Sequence, residues 1–185
     1  MTTQGPLWYI VRMDFVLAVL LLVLWPLVLL VMSLRNKQLL APMLAYWRAS
    51  ALLMITVYLM IAELPVAFLC GVLARVFIPA VLWQGDAFYK GQMDLPTPYL
   101  HWRRAATGYC IVGVLITLPL LESAITSRIS DSARLWLQPP QEFGRLFHPN
   151  TAPALLGNAA LTGLYAYAVY AFISTVLVIR RNLFR

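Results

Sequence analysis

Between widely spaced polar residues, apolar runs in this chain extend past the roughly 20 residues that cross about 30 Å of hydrocarbon. The first, DFVLAVLLLVLWPLVLLVMS at 14–33, predicts a span bent at Pro26. Membrane helices tolerate such a proline when neighbours satisfy the carbonyl it frees. Trp8 and Tyr9 precede this run, as interfacial aromatics do. A longer stretch, Ala49 to Trp83, holds two charges, Glu63 and Arg75. As one helix its 35 residues would measure about 52 Å at ~1.5 Å per residue. That overshoots the bilayer by roughly 20 Å, more than tilt absorbs. Two spans, 49–67 and 68–83, fit instead, with a turn near Pro65–Gly71 and the second span short or re-entrant.

Further apolar runs predict spans at 105–127 and 154–179. Between them, 128–153 starts with capping residues and sets Leu135, Trp136, Phe143, Leu146 and Phe147 among polar neighbours. Pro140 suits the first turn of a helix. This segment reads as one or two amphipathic helices on the outer membrane surface. The last span is rich in small residues, and Ala159 with Gly163 forms a small-xxx-small pair for close helix packing. The expected fold is an all-α membrane bundle of five spans in a single domain.

Composition agrees. Of 185 residues, 62% are apolar and only 11% charged, against about 25% in soluble domains. The mean hydropathy is +0.78. The net charge of +7 sits in loops and at helix ends. Topology and contact with anionic lipid explain it without nucleic acid. The N-terminal MTTQGPLWYIVRMDF, with one Arg and no small-residue cleavage site, does not read as a signal peptide. Cys70 and Cys110 each lie in an apolar run, with no spacing that suggests a metal or redox pair.

Charge placement sets the topology. With five spans, Arg35, Lys37, Arg48, Lys90, Arg103, Arg104, Arg180, Arg181 and Arg185 fall on one side. Only Arg12, Arg128, Arg134 and Arg145 fall on the other. Four spans would divide them almost evenly. The richer side is cytoplasmic by the positive-inside rule, so the N-terminus is outside and the C-terminus inside. A weak internal repeat fits this count. Tyr46–Phe68 and His101–Glu122 each begin aromatic-Trp-Arg and reach Leu-Pro at 64–65 and 118–119, and five spans run both in one direction. The loop GDAFYKGQMDLPTPYLHWRR, broken by Pro and Gly, is expected on the cytoplasmic side without a folded domain.

Asp14, Glu63, Arg75 and Glu122 then share the outer third of the membrane on four helices, and Glu63 and Arg75 are expected to face each other across the turn. Such charges are costly in hydrocarbon unless paired. The set reads either as a proton, cation or headgroup site, or as a salt bridge pinning the hairpin. Its place near helix ends favours the second. His101 and His148 fall on opposite faces and cannot share one haem or metal. Either could contact one chlorophyll magnesium, although a surface histidine beside Trp102 or Phe147 is the commoner case. No metal site, nucleophile triad or phosphate loop is present, so no enzyme is expected. An aromatic belt explains most Trp, Tyr and Phe positions.

The segments YWRASALLMITVYLMIAELPVAFL, ARVFIPAVLW and LQPPQEFGRLFHPNTAPALLG together resemble a family of uncharacterised multi-pass membrane proteins found in cyanobacteria. The resemblance covers most of Leu7–Ile179, and GDAFYKGQMDLPTP replaces the acidic tract usual in that family. It transfers no catalytic residue. It implies a thylakoid or plasma membrane, with the outer side lumenal or periplasmic. The expected function is non-enzymatic, as an accessory subunit or assembly factor of a photosynthetic or respiratory complex, with lipid and other membrane proteins as partners. Candidate ligands are lipid, chlorophyll or carotenoid. The alternative is a small transporter or ion- or proton-coupled channel using the intramembrane carboxylates.

Overall fold

The computed structural model describes residues 5–88 and 95–183. Most of the expected loop before Leu95, with Lys90, lies outside these residues, as does Arg185. Within these residues six helices follow one another: α1 (Pro6–Ser33), α2 (Lys37–Ile61), α3 (Val66–Phe88), α4 (Thr97–Thr126), α5 (Asp131–Phe147) and α6 (Pro153–Leu183). All but α5 contain stretches long and apolar enough to cross a membrane, which makes five spans. Helix α3 packs against both α2 and α4, and α6 packs against α2. The two members of the internal repeat, α2 and α4, therefore flank α3.

Helix α1 carries its proline on a local rewinding. Pro26 has no N–H for the Leu22 carbonyl four residues earlier. The helix widens into a π turn over Leu20–Leu24, where the Trp25 N–H reaches the Leu20 carbonyl. The carbonyls left over are taken by side chains from the two repeat members. Tyr46 Oη donates to the Leu22 carbonyl at 2.5 Å, and Trp102 Nε1 donates to the Leu21 carbonyl at 2.7 Å. The two rings meet edge to face with centroids 4.9 Å apart. Around them pack Leu29, Leu39, Met43, Ile78, Leu82 and Cys110, all buried. One backbone defect thus locks α1 to α2 and α4.

The α2–α3 hairpin turns at Ala62–Pro65, earlier than Pro65–Gly71. Glu63 adopts φ 56°, and its N–H reaches the Met60 carbonyl while that of Leu64 reaches the Leu59 carbonyl. This pair of bonds is a Schellman closure, with Glu in the left-handed position usually given to glycine. Pro65 then stands just before α3. With its turn so early, α3 is neither short nor re-entrant. It runs 23 residues, about 34 Å at ~1.5 Å each, enough to cross the hydrocarbon.

Helix α5 continues through Pro139 and Pro140 as one 17-residue helix, capped by the Ser130 hydroxyl accepting from the Ala133 N–H at 3.2 Å. Its inner face is buried, Trp136 and Leu137 packing with Val11, Phe68 and Leu120. The helix covers one end of the bundle, while Leu146 and Phe147 face outward at 74% and 62% exposure. Arg12 donates to both Glu142 oxygens, at 2.9 and 2.5 Å, and Gln141 Nε2 donates to Glu63 at 2.8 Å. These contacts tie α5 to α1 and to the hairpin turn.

Helix α6 leans on α2 along Gly157, Ala160, Leu164 and Tyr167, a seam of three- and four-residue steps. A Cβ at Gly157 would collide with that of Ala62. Gly163 borders Ile55, as a packing residue should, but Ala159 is exposed. The expected Ala159/Gly163 pair is thereby corrected: Ala159 sits one step, about 100°, round the helix from Ala160, so it turns away.

Candidate functional site

Among the described residues, the charged pair inside the bundle is Asp14 on α1 and Arg75 on α3. Arg75 is 8% exposed. Its Nη2 donates to Asp14 Oδ2 at 2.5 Å and to Tyr109 Oη at 3.4 Å, while Nη1 donates to Thr117 Oγ1 at 3.3 Å. Tyr109 in turn donates its hydroxyl proton toward Asp14, with Oδ1 at 2.8 Å and the backbone carbonyl at 2.9 Å. Thr117 donates to the Gly113 carbonyl at 2.7 Å. Arg75 Nε alone has no acceptor. It lies over Gly113, where a Cβ would come within 2.7 Å. The glycine makes room for the guanidinium.

Depth explains the pairing. Asp14 is eight residues from the start of α1, Arg75 nine from the start of α3, and Thr117 nine from the end of α4, all measured from the end that α5 covers. That places the three at a common depth of about 12–14 Å along their helices. Because α1 begins at Pro6 and not at Asp14, the carboxylate enters the bundle instead of standing at its rim.

Of the four charges expected to cluster, the fold brings together Asp14 and Arg75 and leaves Glu63 and Glu122 apart. Glu63 is held at the exposed turn by Gln141, more than two helical turns from Arg75. Glu122 is exposed near the end of α4. The expected Glu63–Arg75 contact across the hairpin is corrected to Asp14–Arg75. Tyr109 and Gly113 were missed by reading the sequence for charge, although with Thr117 they recur every four residues and so mark one face of α4.

His148 Nε2 lies 2.9 Å from Tyr58 Oη, joining the end of α5 to α2. His101 is exposed near the start of α4, at the opposite end of the bundle. The two histidines stand apart, as expected. Among the described residues no three His, Cys, Asp or Glu side chains assemble as metal ligands.

Beside the ion pair lies a cavity of about 390 Å³, within the ~300–1,000 Å³ range of small-molecule sites. Residues of α1 such as Phe15 and Ala18 form one wall, and Ala51 and Met54 of α2 the other. Gly71 and Arg75 of α3 stand at the back, and Trp136 and Pro140 of α5 close one end. Neither α4 nor α6 contributes to the lining, so the front stays open between two spans.

A family model described as "Protein of unknown function (DUF3177)" matches residues 9–182. The chain belongs to that family. No curated protein and no solved structure matches it. The family match takes in every residue of the ion-pair network and the cavity, and assigns no role to any of them.

Proposed function

We propose that this member of the family is a non-enzymatic integral membrane protein that works by binding other membrane proteins. Its role is that of an accessory subunit or assembly factor of a larger membrane complex. In the thylakoid or plasma membrane implied by the cyanobacterial resemblance, that complex is photosynthetic or respiratory, with the N-terminus lumenal or periplasmic and the C-terminus cytoplasmic. The observation that carries the reading is α6. Only 11% of its apolar window is buried, against 50% for α3. Its uncovered side presents Ala159, Thr162 and Ala166, small residues that let another helix come close.

The test is solubilisation of native membranes in mild detergent. Comigration with a larger assembly, lost in Ala159→Leu and Ala166→Leu variants that keep their own melting temperature, supports the reading. Migration solely as a free monomer or homo-oligomer refutes it.

The transport alternative needs Glu63, Arg75 and Glu122 along one path. With both glutamates exposed and Arg75 held by Asp14, the carboxylate left to it inside the bundle is Asp14. Unchanged ion flux in Asp14→Asn vesicles rejects it.

A further inference from the structure

We infer that the lateral cavity is a binding site for one long-chain, uncharged amphiphile drawn from the bilayer. Its chain lies between α1 and α2, and its carbonyl or hydroxyl oxygen lies against the Asp14–Arg75 pair. This reading is independent of the proposed interaction role.

Three features carry it. First, the cavity is bounded on three sides and at one end by protein yet open in front, between two membrane spans. Whatever enters does so from hydrocarbon. The two spans pack together along Trp25–Ser33 and part over Pro6–Val19, so the opening is a wedge built into the fold. Second, the lining is apolar apart from a few groups, chiefly Asp14, Arg75 and Ser50, whose hydroxyl already donates to the Trp47 carbonyl at 3.3 Å. A bare alkane would leave the Asp14–Arg75 edge facing hydrocarbon, and a second charge would compete with a pair that is already neutral. An uncharged oxygen complements it.

Third, the ion pair is not sealed from the cavity. The Asp14 and Arg75 side chains keep 12% and 9% of their surface exposed, and both border the cavity, so a guest's oxygen can lie against them.

Helix α5 fits the role of end wall. Its Pro139 and Pro140 border the cavity, and the adjacent Gln141 and Glu142 hold it to Glu63 and Arg12. The guest's depth is thus limited from the headgroup side, which separates a seated molecule from ordinary boundary lipid.

The experiment uses the full chain in phosphatidylcholine vesicles with a diazirine-bearing hexadecanol, mapping the crosslinks by mass spectrometry. Labelling is expected to saturate, to concentrate on 11–23, 47–60 and 136–143, and to be competed by excess hexadecanol but not by hexadecane. A parallel arm with a decyl-substituted benzoquinone separates the two sources of this chemistry. Stronger competition by the quinone assigns a ring-headed isoprenoid, and stronger competition by hexadecanol a simple chain; either supports the site. Ala18→Phe and Ala51→Phe fill the cavity from opposite walls, and each is expected to weaken saturable labelling about tenfold, equivalent to roughly 1.4 kcal/mol. Should one variant fail to fold, the other still decides. Labelling spread evenly over all spans, unsaturable and unchanged in the variant that folds, overturns the proposal. Competition by hexadecane equal to that by hexadecanol overturns the polar anchor.

Discussion

Replacing Asp14 by leucine removes the counter-ion of Arg75 and leaves the guanidinium inside the bundle. The two side chains are only 12% and 9% exposed, so little water is at hand to take over. Deleting one partner of a buried pair costs about 3–5 kcal/mol, because the remaining charge is uncompensated. Tyr109 would also lose Oδ1 as an acceptor, which places the loss toward the upper part of that range. At roughly 2–4 °C per kcal/mol for a chain of this size, the melting temperature should fall by about 8–20 °C.

The informative comparison is the double variant Asp14→Leu, Arg75→Met. Replacing both members of a buried pair by apolar residues of similar volume is often neutral or stabilising. The double variant should therefore melt well above the single Asp14→Leu variant and close to the parent. A thermal melt in one detergent, with all four proteins of the cycle measured together, reads the coupling directly. If Asp14→Leu melts within about 2 °C of the parent, less than ~1 kcal/mol, or if the two single losses simply add, the pair does not hold the bundle as described.

Three more predictions follow from particular contacts. Tyr46→Phe strands the Leu22 carbonyl and should lower stability by about 1–3 kcal/mol. In a Pro26→Ala background the restored N–H can take that carbonyl, so the same change should cost clearly less in a melting cycle. Gly113→Ala drives a methyl against Arg75 and should cost about 1–3 kcal/mol, whereas Gly108→Ala, with nothing within 4 Å, should be neutral or slightly stabilising. Glu63→Gly relieves a left-handed backbone that costs a side-chain-bearing residue roughly 1–2 kcal/mol, offset in part by the lost Gln141 bond. Its melting temperature should hold or rise, and a fall of several degrees would show that Glu63 does more than close the turn.

A helix irregularity at Pro26, the hairpin inside Ala49–Trp83 and an amphipathic segment before the last span were all legible in the sequence. Each depends on local quantities: the length of an apolar run, the position of a proline, the period of polar residues. The hairpin's early turn was less legible because Glu63 occupies a position where glycine would have announced it.

What lay beyond local reading was which side chains meet. The length of the apolar runs, with Lys and Arg counted on either side of them, determined a membrane bundle of five spans, because hydrocarbon thickness sets a minimum helix length and charge bias sets its direction. Only the tertiary structure decided that Arg75 pairs with Asp14 and not with Glu63, that α6 seats Ala160 and not Ala159, and that α1 and α2 part to leave a cavity beside the ion pair. Each depends on where a helix begins and how it is rotated. A start eight residues earlier moves a carboxylate by about 12 Å, and one residue of rotation moves a side chain by about 100°.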